Sequence, residues 1–148
     1  MPESQRMSQE EQVGVECASR ELGACQDHQG RFWVTWISHL GGADKVVARP
    51  WGTSGAEATL FVTPTPGQYI NPAAVATPEG PIFLWRSYTG GRWCVLSRQF
   101  RDGQWQDDVT LCPGTADVQG FAAAAEPDGT VLVVAVTAGG SQGSKPAL

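Results

Sequence analysis

The sequence predicts an all-β chain built from a repeated unit of four antiparallel strands, and three observations lead there. Composition is the first: 18 Gly and 10 Pro stand in a chain that is 41% hydrophobic and only 17% charged, a mix that favours many short elements separated by turns. The second is self-similarity. ELGACQDHQG (21 to 30) aligns with NPAAVATPEG (71 to 80) and with GFAAAAEPDG (120 to 129), so the closing glycines Gly30, Gly80 and Gly129 fall 50 and 49 residues apart. The third is the set of apolar runs after those glycines, RFWVTWIS, PIFLWRS and TVLVVAV. They are rich in β-branched and aromatic residues and lie between turn signals, as mostly buried strands do.

Each ten-residue block reads as a strand of small residues and a polar turn, closed by a glycine that takes positive φ without steric cost. In the second strand of the first unit, alternation puts Phe32, Val34 and Trp36 on one face and Trp33 and Thr35 on the other. Glycine pairs at Gly41-Gly42, Gly90-Gly91 and Gly139-Gly140 mark the next turn. Beyond it VVARPW (46 to 51) aligns with VLSRQF (95 to 100), Arg49 on Arg98 and Trp51 on Phe100. A fourth strand closes each full unit, Thr59-Leu60 matching Thr110-Leu111. The third unit stops after two strands, near 121 to 126 and 130 to 137, which leaves TVLVVAV as an uncharged, strongly β-prone edge for another strand to cover. QVGVEC (12 to 17) alternates Val13 and Val15 with polar neighbours and could complete a blade begun elsewhere.

Four strands in about fifty residues, repeated, is the pattern of a β-propeller blade. A β-sandwich is the alternative, but it needs no internal repeat. The predicted organisation is an N-terminal segment (1–20) with its closing strand at 12–17, blade 1 (21–70), blade 2 (71–119), a partial blade 3 (120–140) and a flexible tail (141–148). AVATPEGPIFLW and AAAEPDGTVLVVAV resemble the strand-turn-strand openings of NHL-type and sialidase-like (BNR-type) propeller repeats, where a D-x-x-G or P-D-G turn joins the first two strands. WRSYTGGRWCVLSRQFRDGQW is similar to the second and third strands of such blades, and the resemblance spans 21 to 140. It implies about two and a half blades of an incomplete ring, completed by further copies of the chain (a homo-oligomer) or by the remaining blades of a longer protein. The sialidase Asp-box, S-x-D-x-G-x-T-W, is matched nowhere.

A net charge of -5 argues against phosphate neutralisation, and so against a nucleic-acid partner. No stretch of 18 or more apolar residues is present and MPESQRMSQEEQ has no apolar core, so no membrane partner is expected. The chain as written reads as cytoplasmic, and as extracellular or periplasmic if it is an excerpt of a longer protein. Cys17, Cys25, Cys94 and Cys112 form no CxxC pair and, with only His28 and His39 beside them, give no zinc spacing. No cofactor is called for. There is no G-x-S-x-G and no Ser/His/Asp spacing, the Gly-Gly turns lack the Lys-Ser/Thr of a phosphate loop, and the adjacent acids Asp107-Asp108 read as a solvated turn. A non-enzyme is expected.

The densest cluster of aromatic and guanidinium groups is Trp85, Arg86, Tyr88, Arg92 and Trp93, with Arg98 and Trp105 beyond it. Resemblance to sugar-binding propellers implies an aromatic platform with arginine alongside, and hence a non-enzymatic, carbohydrate-binding module. The alternatives are an accessory or scaffold propeller fragment that mediates protein contacts, and a sialidase-like glycoside hydrolase remnant. The competing structural reading makes the aromatics packing between blades, and makes the repeated Arg49 and Arg98 partners of carboxylates or stems lying along the sheet.

Overall fold

The computed structural model describes residues 18–52, 59–111 and 114–138. The strand expected at 12–17 and the tail lie outside them. The described residues form antiparallel strands and no helix, in sheets that do not close on themselves.

The first sheet is a meander of β1 (Ala18–Gln26), β2 (Phe32–Leu40), β3 (Ala43–Pro50) and β4 (Leu60–Phe61), paired in chain order. The second repeats it with β5 (Tyr69–Thr77), β6 (Gly80–Thr89) and β7 (Arg92–Arg101). Its fourth strand is broken into β8 (Gln104–Trp105), opposite Phe100 and Arg101, and β9 (Val109–Thr110), opposite Leu96 and Ser97. The third is the hairpin β10 (Val118–Ala125) and β11 (Val131–Thr137).

The repeat is visible in the hydrogen bonding. Val47 pairs with Phe61 and Leu96 with Thr110, while the Val62 and Leu111 amides each donate to the carbonyl opposite, Val46 and Val95, at 2.9 Å; every partner has moved by 49 positions. The fourth strands therefore align Leu60 with Val109, a two-residue slip from the Thr59-Leu60 and Thr110-Leu111 match. His39 lies inside β2. Each first strand also carries a bulge, between Arg20 and Leu22, Ile70 and Ala73, and Val118 and Gly120. At the first two, Glu21 and Asn71 both adopt φ of 53°, a left-handed conformation that Asn tolerates better than most residues.

Alternation on the strands decides what is buried. Trp33, Ile37, Val46, Ala48 and Val62 of the first sheet meet Tyr69, Phe83 and Trp85 of the second in one core. The rings meet edge-on: Trp33 to Phe83 at 5.8 Å, Trp33 to Phe100 at 5.7 Å and Phe83 to Trp105 at 5.6 Å. Each such pair contributes about 1 kcal/mol beyond its buried area. The paired tryptophans of FWVTW are thus largely packing: Trp33 and Trp36 are buried, and Phe32 is exposed.

Asp27 closes the β1–β2 turn. Its Oδ1 accepts from the Gln29 and Arg31 amides at 3.0 and 2.9 Å, and its Oδ2 from Arg31 Nε at 3.1 Å and Trp33 Nε1 at 2.9 Å. Burial pushes this carboxyl up, but the bonds from Trp33, Arg31 and Gln29 together outweigh it and hold the group below 3.8. Nearby, burial first and the Asp27 charge second push the Cys25 thiol up to about 11. The third sheet is barer. By its register, Leu132, Val134 and Val136 share a face with Ala124, Ala122 and Gly120, and these three large residues are more than half exposed. The outer edge of β11 has no strand partner among the described residues.

Candidate ligand-binding site

The bulges lie near one end of the sheets, and polar side chains gather there. Four same-face, cross-strand pairs set their positions. Arg20 lies opposite Ile37 and Arg86 opposite Ile70, each just before a bulge, while His39 faces Asp44 and Tyr88 faces Trp93 across the two Gly-Gly turns. In the first sheet the arginine reaches a carboxylate: Arg20 Nη2 stands 2.6 Å from Asp44 Oδ2, and His39 Nδ1 is 2.6 Å from Oδ1. Asp44 is buried, and its backbone pairs both ways with Gly67 on the approach to β5. In the second sheet Trp93 stands at the place of Asp44, and the arginine stacks on it, with the Arg86 guanidinium 5.1 Å from the ring centroid. A cation–π contact takes the place of an ion pair.

At the bulges is a cavity of about 540 Å³ lined by the bulge residues Glu21, Asn71 and Gln119 and by Arg86, with Leu22 and Phe121 as apolar walls. Glu21 Oε2 accepts the Asn71 amide at 2.6 Å, and Arg86 Nη1 donates to Asn71 Oδ1 at 3.0 Å and to the Gln119 carbonyl. Burial pushes the Arg86 guanidinium below its usual range, and the Glu21 and Asp117 charges offset part of that shift. Tyr88 meets the Trp93 ring at 5.3 Å and is 44% exposed. Among the described residues no three His, Cys, Asp or Glu side chains gather as metal ligands.

The seven expected ligand residues are divided by alternation. Arg86, Tyr88 and Trp93 share a face and meet beside the cavity. Trp85 points the other way, into the core against Tyr69. Arg92, next to Trp93, also lies on that opposite face, with Nη1 buried. Arg98 and Trp105 sit far along β7 and β8. There Arg98 Nε bonds the Gln106 carbonyl at 2.7 Å, its Nη1 bonds the Val62 carbonyl at 2.9 Å, and its guanidinium lies over Trp105. That arginine fills the break between β8 and β9 and ties the second sheet to the first. Glu21, Asn71, Gln119, His39 and Asp44 were not among the expected ligand residues. One signal was legible: LGGA between His39 and Asp44 is a hairpin turn, which places the two opposite each other.

Comparison with protein-family models, with curated proteins and with solved structures returned no match to this chain.

Proposed function

We propose that the chain is a non-enzymatic binding module made of β-propeller blades, and that its bulge-end cavity takes a polyhydroxylated ligand, a carbohydrate. The observation that carries this reading is the lining: a carboxylate acceptor (Glu21), two amides (Asn71, Gln119) and a guanidinium donor (Arg86) converge on one cavity, and Arg86 stacks on Trp93, which in turn meets the exposed Tyr88. Donors and acceptors set close together beside an aromatic edge suit hydroxyl groups, each of which both gives and accepts hydrogen bonds. The blade reading is supported by the four-strand unit, its 49-residue step and the bulge repeated in each first strand.

A glycan array probed with the whole chain tests the binding reading. Arg86→Gln is expected to weaken a captured glycan about tenfold, and Tyr88→Phe, which spares the fold, a few-fold. No captured glycan, or unchanged capture by both variants, would sink it. A sialidase-like hydrolase has less support, because Arg98 is committed to carbonyls at the interface of two sheets.

The uncovered face of β11 favours a second reading, protein contact: another copy of the chain, or further blades of a longer protein, supplies the strand that edge lacks. Light scattering behind size exclusion is expected to give a discrete dimer or trimer if copies complete one another. A clean monomer that stays soluble would refute self-assembly.

A further inference from the structure

At the opposite end of the first two sheets, three turns enclose a second cavity of about 440 Å³, its wall running through Asp27 to Arg31, Thr77 to Pro81, and Phe100 to Gly103. Two arginines enter it from different sheets. Arg31 is anchored through Nε to Asp27, with its guanidinium 5.0 Å from the centroid of the Trp33 ring. Arg101 is anchored through Nη1 to Glu79 Oε2 at 2.9 Å. Each guanidinium spends one nitrogen on its carboxylate, and both side chains remain nearly half exposed, at 48% and 41%. The Nη groups of Arg31, and Nε and Nη2 of Arg101, have no hydrogen-bond partner among the described residues.

We propose that this cavity is a site for a small ligand bearing an oxyanion, a phosphate, sulfate or carboxylate group, gripped between Arg31 and Arg101. A planar guanidinium offers paired N–H donors that match two oxygens of such a group, and a carboxylate behind it holds the fork in place. Asp27 and Glu79 do that here, and each is neutralised by the arginine it holds. Asp27 is itself buried and fixed by the β1–β2 turn, so Arg31 is aimed by a rigid element. His28 and Gln29 add polar groups to the same wall. Asp102, exposed on the lining, opposes the ligand. Binding is therefore weak and falls as salt rises. This site is separate from the carbohydrate cavity and stands without it.

The test is titration of the whole chain with inorganic phosphate, sulfate and acetate at constant ionic strength, followed by amide shifts in two-dimensional NMR spectra. At least one anion is expected to shift the amides of Gln29, Arg31 and Gly103 with a millimolar midpoint. Arg101→Gln should weaken that anion about tenfold and Asp102→Asn should tighten it two- to threefold, roughly the effect of one nearby charge. Arg31→Gln should act like Arg101→Gln. Because it also loosens Asp27, the spectrum of Arg101→Gln, which touches only exposed Glu79, is the decisive one. Absence of any shift at these turns with all three anions up to about 50 mM, or an unchanged midpoint in Arg101→Gln, overturns the site.

Discussion

Gly80→Ala is expected to remove about 4 kcal/mol of stability, read as a lower urea midpoint at constant slope. Two costs coincide at this position. The backbone there has φ of 133°, a region that residues with a Cβ rarely enter. A methyl group would also lie 2.1 Å from the Phe100 carbonyl oxygen, so either β6 or the end of β7 must move. Neither can move freely, because Phe100 packs on Trp33 and Trp105. Gly90→Ala is the control. Its φ is 62°, but an added Cβ meets nothing within 4 Å, and the expected loss is only about 1 kcal/mol. Equal losses at the two positions would mean that the approach of β6 to Phe100 is looser than described.

Asp27→Ala should cost about 3 kcal/mol and change the acid limb of the stability curve. The substitution leaves Trp33 Nε1, on a ring that is 1% exposed, without its acceptor, and it frees the two turn amides. The sign with pH follows from the depressed carboxyl. Its folded value lies below 3.8, so its contribution is fully present above that pH and is lost as pH falls through the folded value. Acid titration of thermal stability in the wild type and in Asp27→Asn checks this. The two curves should converge as pH falls through the depressed folded value, and parallel curves would show that the carboxylate is not held in its charged form.

Much of the fold was legible because it rests on periodicity. The glycines at 30 and 129 and the pairs at 41-42 and 90-91 fall at turns, Gly80 opens β6 directly after one, and the runs between them are strands. The fourth strands were legible only approximately. They are two residues long, and a slip of two restores the same face, so the hydrophobic pattern carries no information on it. The candidate site was read less well, for a physical reason. Trp85-Arg86 and Arg92-Trp93 are adjacent in sequence, and adjacency in a strand means opposite faces, so Trp85 and Arg92 fall on the other face from Arg86, Tyr88 and Trp93. Glu21 and Asn71 gave no pattern, because the bulge inserts one residue that shifts the alternation by one, and the small residues after it (Gly23, Ala24, Ala73, Ala74) do not mark the shift.

The strand pairing within each sheet has a consequence for how the chain reaches its structure. The first two sheets pair strands that are close in sequence, so most loops that must close are short and their entropic cost is small. What remains is one distant step, the docking of two meanders through Trp33, Phe83 and Phe100. Neither meander can hide its aromatic face alone. Hairpins therefore form early and cheaply, while cooperativity belongs to the docking step, and the rate is governed by how fast two half-made sheets find each other's rings.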